Sequence, residues 1–133
     1  MNIHYGVNQA ITTEQFIDLL VASTLGERRP IDDPICMEGM VKNSNLIVTA
    51  WDESRLVGVA RSLTDFHYAC YVSDLAVHRD YQRHGIGQKL LSLTQEQLGS
   101  HATLILIAAP AADAYYPRIG FSRHPRCWVR PSP

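Results

Sequence analysis

The chain is poor in the features that would make it a metalloprotein, a disulfide scaffold or a membrane span. It has three cysteines, Cys36, Cys70 and Cys127, far apart and without Cys-x-x-Cys spacing. That argues against a zinc site and a disulfide framework, and it fits a reducing, cytoplasmic compartment. The six histidines are scattered, and none lies four positions from another, so no metal is expected. No apolar run reaches the roughly 18 residues of a membrane helix. The first residues, Met1 to Gly6, lack the basic segment and apolar core of a signal peptide. The formal net charge is −1, so no broad basic field argues for nucleic acid. Two phosphate-binding signatures are missing as well. There is no Gly-x-x-x-x-Gly-Lys-Ser/Thr loop. There is also no third glycine in dinucleotide-binding spacing, and no acidic residue closes a second strand about twenty positions on.

What is present suits one globular domain over residues 1–133, with 46% hydrophobic residues to build one core. Ile3 to Val7 reads as a short edge strand. Thr12 or Thr13 caps a first helix whose apolar stripe, Phe16, Leu19 and Leu20, runs on to about Leu25 and stops at Gly26. A proline-bounded polar loop, Glu27 to Pro34, leads to a second short helix over Cys36 to Val41, with Ile35, Met37, Met40 and Val41 on its buried side. Strands are expected over Leu46–Trp51, Arg55–Leu63 and Ala69–Val77, three in antiparallel succession. A helix follows from about Ile86, with Leu90, Leu91, Leu93 and Leu98 on its apolar face. Thr103 to Ile107 is a continuous apolar run, the pattern of a strand covered on both faces. Ala111 to Ile119 reads as a last helix, and Phe121 to Arg130 as one further strand or two.

The most informative stretch joins the third antiparallel strand to the long helix: Asp74-Leu75-Ala76-Val77, then Gln82-Arg83-His84-Gly85-Ile86-Gly87-Gln88. Glycines there allow positive φ and leave room for another molecule against the backbone. The first N–H groups of the helix have no partner inside it and lie at the positive end of its dipole, where phosphates bind. The pattern Gln-x-x-Gly-x-Gly after Asp-Leu-Ala-Val resembles motif A of the GCN5-related N-acetyltransferases, the GNAT superfamily. The order β-α-α-β-β-β-α-β-α-β is that of the family's α/β fold, with a mostly antiparallel sheet splayed at the motif strand. The resemblance implies acetyl-coenzyme A as cosubstrate, its pyrophosphate held by the amides of Gln82, Arg83, His84, Gly85, Ile86, Gly87 and Gln88. The backbone of Leu75, Ala76 and Val77 would face the acetyl group and the pantetheine arm. It further implies an N-acetyltransferase acting on a primary amine of a small molecule or peptide by direct attack in a ternary complex. The partners are then the coenzyme and an amine acceptor, with no nucleic acid and no membrane, and a homodimer is allowed. The alternative is a non-catalytic acyl-coenzyme A-binding sensor or regulatory domain.

Two residues are candidates for the chemistry. Tyr116 lies in Ala112-Asp113-Ala114-Tyr115-Tyr116-Pro117-Arg118-Ile119-Gly120-Phe121, which is similar to the family's late motif. That resemblance makes its phenol the acid that protonates the leaving thiolate, and the other reading is a packed aromatic. The family often has asparagine seven residues earlier, where this chain has Ala109. Pro117 removes a backbone donor, a small loss if Asp113 caps the helix and a kink if the helix starts at Pro110. Asp74 is the candidate base or amine anchor. Its Ser-Asp-Leu-Ala-Val context is similar to the strand of glucosamine-phosphate acetyltransferases, and the family places a bulge there. The competing reading is a structural ion pair with Arg61. In the loop from Glu27 to Met40, Asp32 and Asp33 suit a cationic acceptor, whereas Arg28 and Arg29 suit a carboxylate or phosphate. The mixture does not choose between them.

Overall fold

The computed structural model describes residues 1–133. Five strands form one sheet in the order β1 (Ile3–Val7), β2 (Leu46–Asp52), β3 (Arg55–Thr64), β4 (Ala69–Val77) and β5 (Thr103–Ile105). The first three pairings are antiparallel, and β4 and β5 run parallel. Helices α1 (Thr13–Ala22) and α2 (Pro34–Lys42) cover one face, and α3 (Ile86–Glu96) covers the other. A single-turn α4 (Tyr115–Arg118) lies near the chain's end.

Alternation along the strands divides the core between the two faces. On β2, Ile47 and Trp51 pack with Phe16, Leu19, Leu20 and Met37 of α1 and α2. Leu46, Val48 and Ala50 pack with Ile86 and Leu90 of α3. Thr49, fully buried, accepts a 2.8 Å hydrogen bond from the Trp51 indole N–H. This satisfies a donor that would be costly to bury alone. On β4 the alternation is interrupted once. Arg61 pairs with Asp74 but its neighbour Ser62 pairs with Val72, so Ser73 is an extra, bulged residue. Cys70 and Val72 before the bulge, and Leu75 and Val77 after it, therefore all serve the α3 side. Ala76 joins the α1–α2 core.

Local chemistry explains where the helices start. Thr12 caps α1 in a reciprocal box with Gln15. Asp33 accepts from the Cys36 N–H, and Pro34 occupies the first position of α2. Several boundaries differ from the sequence expectation. Helix α1 ends at Ala22, because the Ser23 hydroxyl bonds Leu20 O and the Leu25 N–H while Thr24 turns to φ +72°. Ile35 is 85% exposed and lies outside the buried side of α2. The expected last helix is a 3₁₀ turn, Pro110–Ala112, followed by α4. Asp113 does not cap it and pairs with Arg123 instead. Pro117 is the third residue of α4, within the first turn, where its missing N–H costs little. Strand β5 is only three residues long and is not covered on both faces, since Ile105 is 45% exposed. No strand forms over Phe121–Arg130. The sheet ends at β5, which has no second neighbour to extend or cover it.

Candidate active site

The β4–β5 ladder spans only Ala69–Tyr71 and Thr103–Ile105. From Val72 to Val77, β4 has no strand on that side, so its edge beside the motif is unpaired. Leu75, Ala76 and Val77 lie on that unpaired stretch of β4, with Ala76 buried and the other two half-buried.

The loop after β4 is held by short local contacts. His78 accepts from the Asp80 N–H, and the Gln82 side-chain amide donates to Val77 O at 3.0 Å. Arg83 sits at φ +66° and Gly85 at φ +77°. Gln82, Arg83, His84, Gly85 and Gln88 are exposed, whereas Ile86 turns its side chain into the core beside Leu90. Gly85 is the N-cap of α3 and offers no side-chain partner to the first helical N–H groups. No atom lies within 4 Å of the point where a Gly85 Cβ would stand, so this approach to the helix end is open. An uncapped N-terminus with open space before it suits an anion.

Tyr115 and Tyr116 are the first two residues of α4. The Tyr115 hydroxyl lies 3.1 Å from where a Gly87 Cβ would be, so a side chain at Gly87 would require Tyr115 to shift by a few tenths of an ångström. Tyr116 packs against the Cys70–Val72–Leu91 cluster. Its ring stands edge-on to Tyr115 and Phe121, at 5.3 and 5.4 Å between centroids. Burial pushes both phenols above the ordinary tyrosine range, so both are protonated near neutral pH and each can donate a proton. The asparagine often found in the family is replaced by Ala109, which flanks the 3₁₀ turn without a side-chain cap.

Asp74 is 1% exposed and lies on the α1–α2 side of β4. Its two carboxylate oxygens accept from different arginines, Arg29 Nε at 2.6 Å and Arg61 Nε at 2.5 Å. Arg61 also donates to the Ser44 and Ser73 hydroxyls and to Met40 O, and it stacks 5.9 Å above the Phe16 ring. Arg29 donates to Ser73 O. The bulge thus sets an ion-pair network against the splayed strand, and Asp74 enters it as an acceptor of two charge-assisted bonds. The participation of Arg29 was not legible from spacing, since it comes from a loop 45 residues away. The available signal was an aspartate and an arginine inside neighbouring apolar strands, each of which needs a partner.

A family model described as an acetyltransferase (GNAT) domain matches residues 29–127. An uncharacterized N-acetyltransferase ycf52 from Pyropia yezoensis is 30% identical over 91 residues, which is 64% of this chain and 52% of that protein. Another from Gracilaria tenuistipitata var. liui is 24% identical over 128 residues, 94% of this chain and 70% of its own length. The chain spans about half the length of the Pyropia and Porphyra relatives it matches. Among solved structures, a GNAT-family acetyltransferase from Streptococcus pneumoniae TIGR4 superposes with a TM-score of 0.74 at 22% identity, covering 98% of this chain and 100% of that one. A ribosomal-protein-alanine N-acetyltransferase from Brucella melitensis biovar Abortus 2308 gives 0.73 at 18% identity, covering 99% and 100%. At such identities the structures speak to the fold, and the match over residues 29–127 speaks to descent: the chain belongs to the GNAT acetyltransferase superfamily.

Proposed function

We propose that the protein transfers an acetyl group from acetyl-coenzyme A to a primary amine of a small molecule or peptide, by direct attack in a ternary complex. The observation that carries this reading is the open, uncapped N-terminus of α3 beside the unpaired end of β4. The pyrophosphate would lie on the amides from Gln82 to Gln88, and the thioester would lie along Leu75 to Val77. The neutral amine attacks the thioester carbonyl carbon, the C–S bond breaks, and the thiolate takes a proton from Tyr116. Because Asp74 is held by two arginines, water rather than Asp74 removes the amine proton. The role of Asp74 is to position Arg29 and Arg61. That absence of a free carboxylate base also favours a second reading, a coenzyme-binding sensor without turnover.

Calorimetry with acetyl-coenzyme A and a thiol-release assay over an amine panel test the proposal together. Gly85→Val forces a β-branched residue to φ +77° in the open approach, and Gly87→Val crowds the Tyr115 hydroxyl and the amides beside it. Both variants should weaken coenzyme binding at least about tenfold, through loss of loop geometry. Unchanged affinity in both would remove the loop from the site. Binding without thiol release on any amine would select the sensor.

A further inference from the structure

Within the acetyl-transfer reading, on which this inference rests, we infer that the acceptor carries an anionic group, carboxylate or phosphate, near its amine, and that Arg29 binds it. The charge balance beside β4 points that way. Two guanidiniums share one carboxylate, and no ion pair other than those with Asp74 reaches either arginine. Their remaining partners are neutral: the Ser44 and Ser73 hydroxyls and the carbonyls of Arg28, Met40 and Ser73. The cluster therefore holds one uncompensated positive charge. Asp74 and Arg61 are closed off from solvent, while the Arg29 side chain keeps 22% of its surface exposed. The excess charge is accessible only there.

Arg29 also has donors to offer. A guanidinium carries five N–H groups in a planar fork. Three are engaged, by Asp74, by Ser73 O and by Arg28 O. One hydrogen on each terminal nitrogen is unused, and a fork of that kind matches a carboxylate or phosphate. Its place is relevant to the reaction, because Ser73 lies just beyond Tyr71, the last β4 residue paired with β5. The anion of an acceptor held there would lie beside the strand that faces the thioester. The same loop also carries acidic residues. Asp33 caps α2, and Asp32 is exposed without an ion pair.

The test compares matched acceptors that differ only in the anion: glycine against glycinamide, and O-phosphoethanolamine against ethanolamine. Rates are taken across pH so that equal fractions of neutral amine are compared. The anionic member of one pair should show a kcat/KM at least about tenfold higher, mainly through KM, and the pair that does so identifies the anion. Arg29→Gln should abolish that preference with coenzyme affinity unchanged by calorimetry. Arg29→Lys keeps the charge on Asp74 without the fork, and it should reduce the preference if the glutamine variant fails to fold. Equal kcat/KM within both pairs, or an undiminished preference in the variants, would overturn the assignment. If no acceptor is turned over, the transfer reading fails separately, and product-side binding still decides the anion site. In NMR titrations, N-acetylglycine or N-acetyl-O-phosphoethanolamine should shift the backbone amides of Arg29 and Ser73, and N-acetylglycinamide should not. Equal or absent shifts would overturn the site by that route.

Discussion

Tyr115 and Tyr116 are adjacent in sequence but do different things in space. The Tyr116 ring is inserted among Cys70, Val72, Leu91 and Phe121, whereas the Tyr115 hydroxyl stands over Gly87 in the loop. Both phenols are held above the ordinary tyrosine range, chiefly by burial. Tyr116→Phe keeps the ring and its packing and removes only the proton donor, so turnover should fall by roughly 10²-fold with coenzyme affinity nearly unchanged. Tyr115→Phe removes a donor beside the amides proposed to hold the pyrophosphate. It should weaken coenzyme binding by roughly tenfold, the size of one hydrogen bond to a charged group, with kcat little altered. Steady-state kinetics with calorimetry on the two variants separate these effects. If Tyr115→Phe loses kcat and Tyr116→Phe does not, the proton donor is Tyr115.

At the scale of elements, the turn from β4 into α3 depends on one histidine. His78 is 7% exposed. Its Nδ1 faces the Asp80 N–H at 3.1 Å, and its Nε2 faces Arg55 Nη2 at 2.8 Å. Arginine can only donate, and a neutral imidazole has one acceptor nitrogen. The ring therefore serves one of these contacts well, and a protonated ring serves neither. Burial first, then the charge of Arg55, lowers its pKa below the ordinary histidine value; Asp80 acts in the opposite sense and Arg79 with Arg55. The unfolded chain thus binds a proton at higher pH than the folded one, and stability rises with pH across that interval. Lowering the pH from about 7.5 to about 5.5 should destabilise the protein, and His78→Gln should flatten that slope, because glutamine does not titrate. Urea midpoints at the two pH values measure it, and an identical slope in the variant would clear His78 of the effect. The elements around this turn were legible in advance. Ile86, Leu90 and Leu91 repeat at helical spacing and are all buried in α3, and the four strands β1 to β4 fall where β-branched runs alternate. Helix α1 stopped short of its apolar stripe because a serine side chain intercepted the backbone at Ser23, a competition that periodicity does not register.

For the whole molecule, the last dozen residues carry little of the fold. Ser122 to Pro133 are exposed and form no helix or strand, and Trp128 is 91% exposed. The other tryptophan, Trp51, is buried in the core under α1. Ending the chain after Phe121 should change unfolding free energy by no more than about 0.5 kcal/mol, the range of surface changes that break no packing. The solvent-exposed component of tryptophan emission should disappear with Trp128, while Trp51 reports an unchanged core. A large drop in Tm would mean that the tail pairs with β5 after all.

The sequence by itself determined the local and repeating features of this protein. Helix caps at Thr12 and Asp33, the alternation along β2 to β4 and the glycine loop before α3 are all written in short windows, because each depends on neighbours a few residues apart. The motif was likewise sufficient to name the family. Tertiary structure decided the rest. It left the Phe121–Arg130 segment unpaired, although its composition permits a strand and the outer edge of β5 is free. It gave Tyr115 rather than Tyr116 the contact with Gly87. It also brought Arg29 and Arg61 together on the Asp74 carboxylate. A buried carboxylate's chemistry is set by the charges that reach it, and those charges came from a loop and a strand that only folding brings to its side.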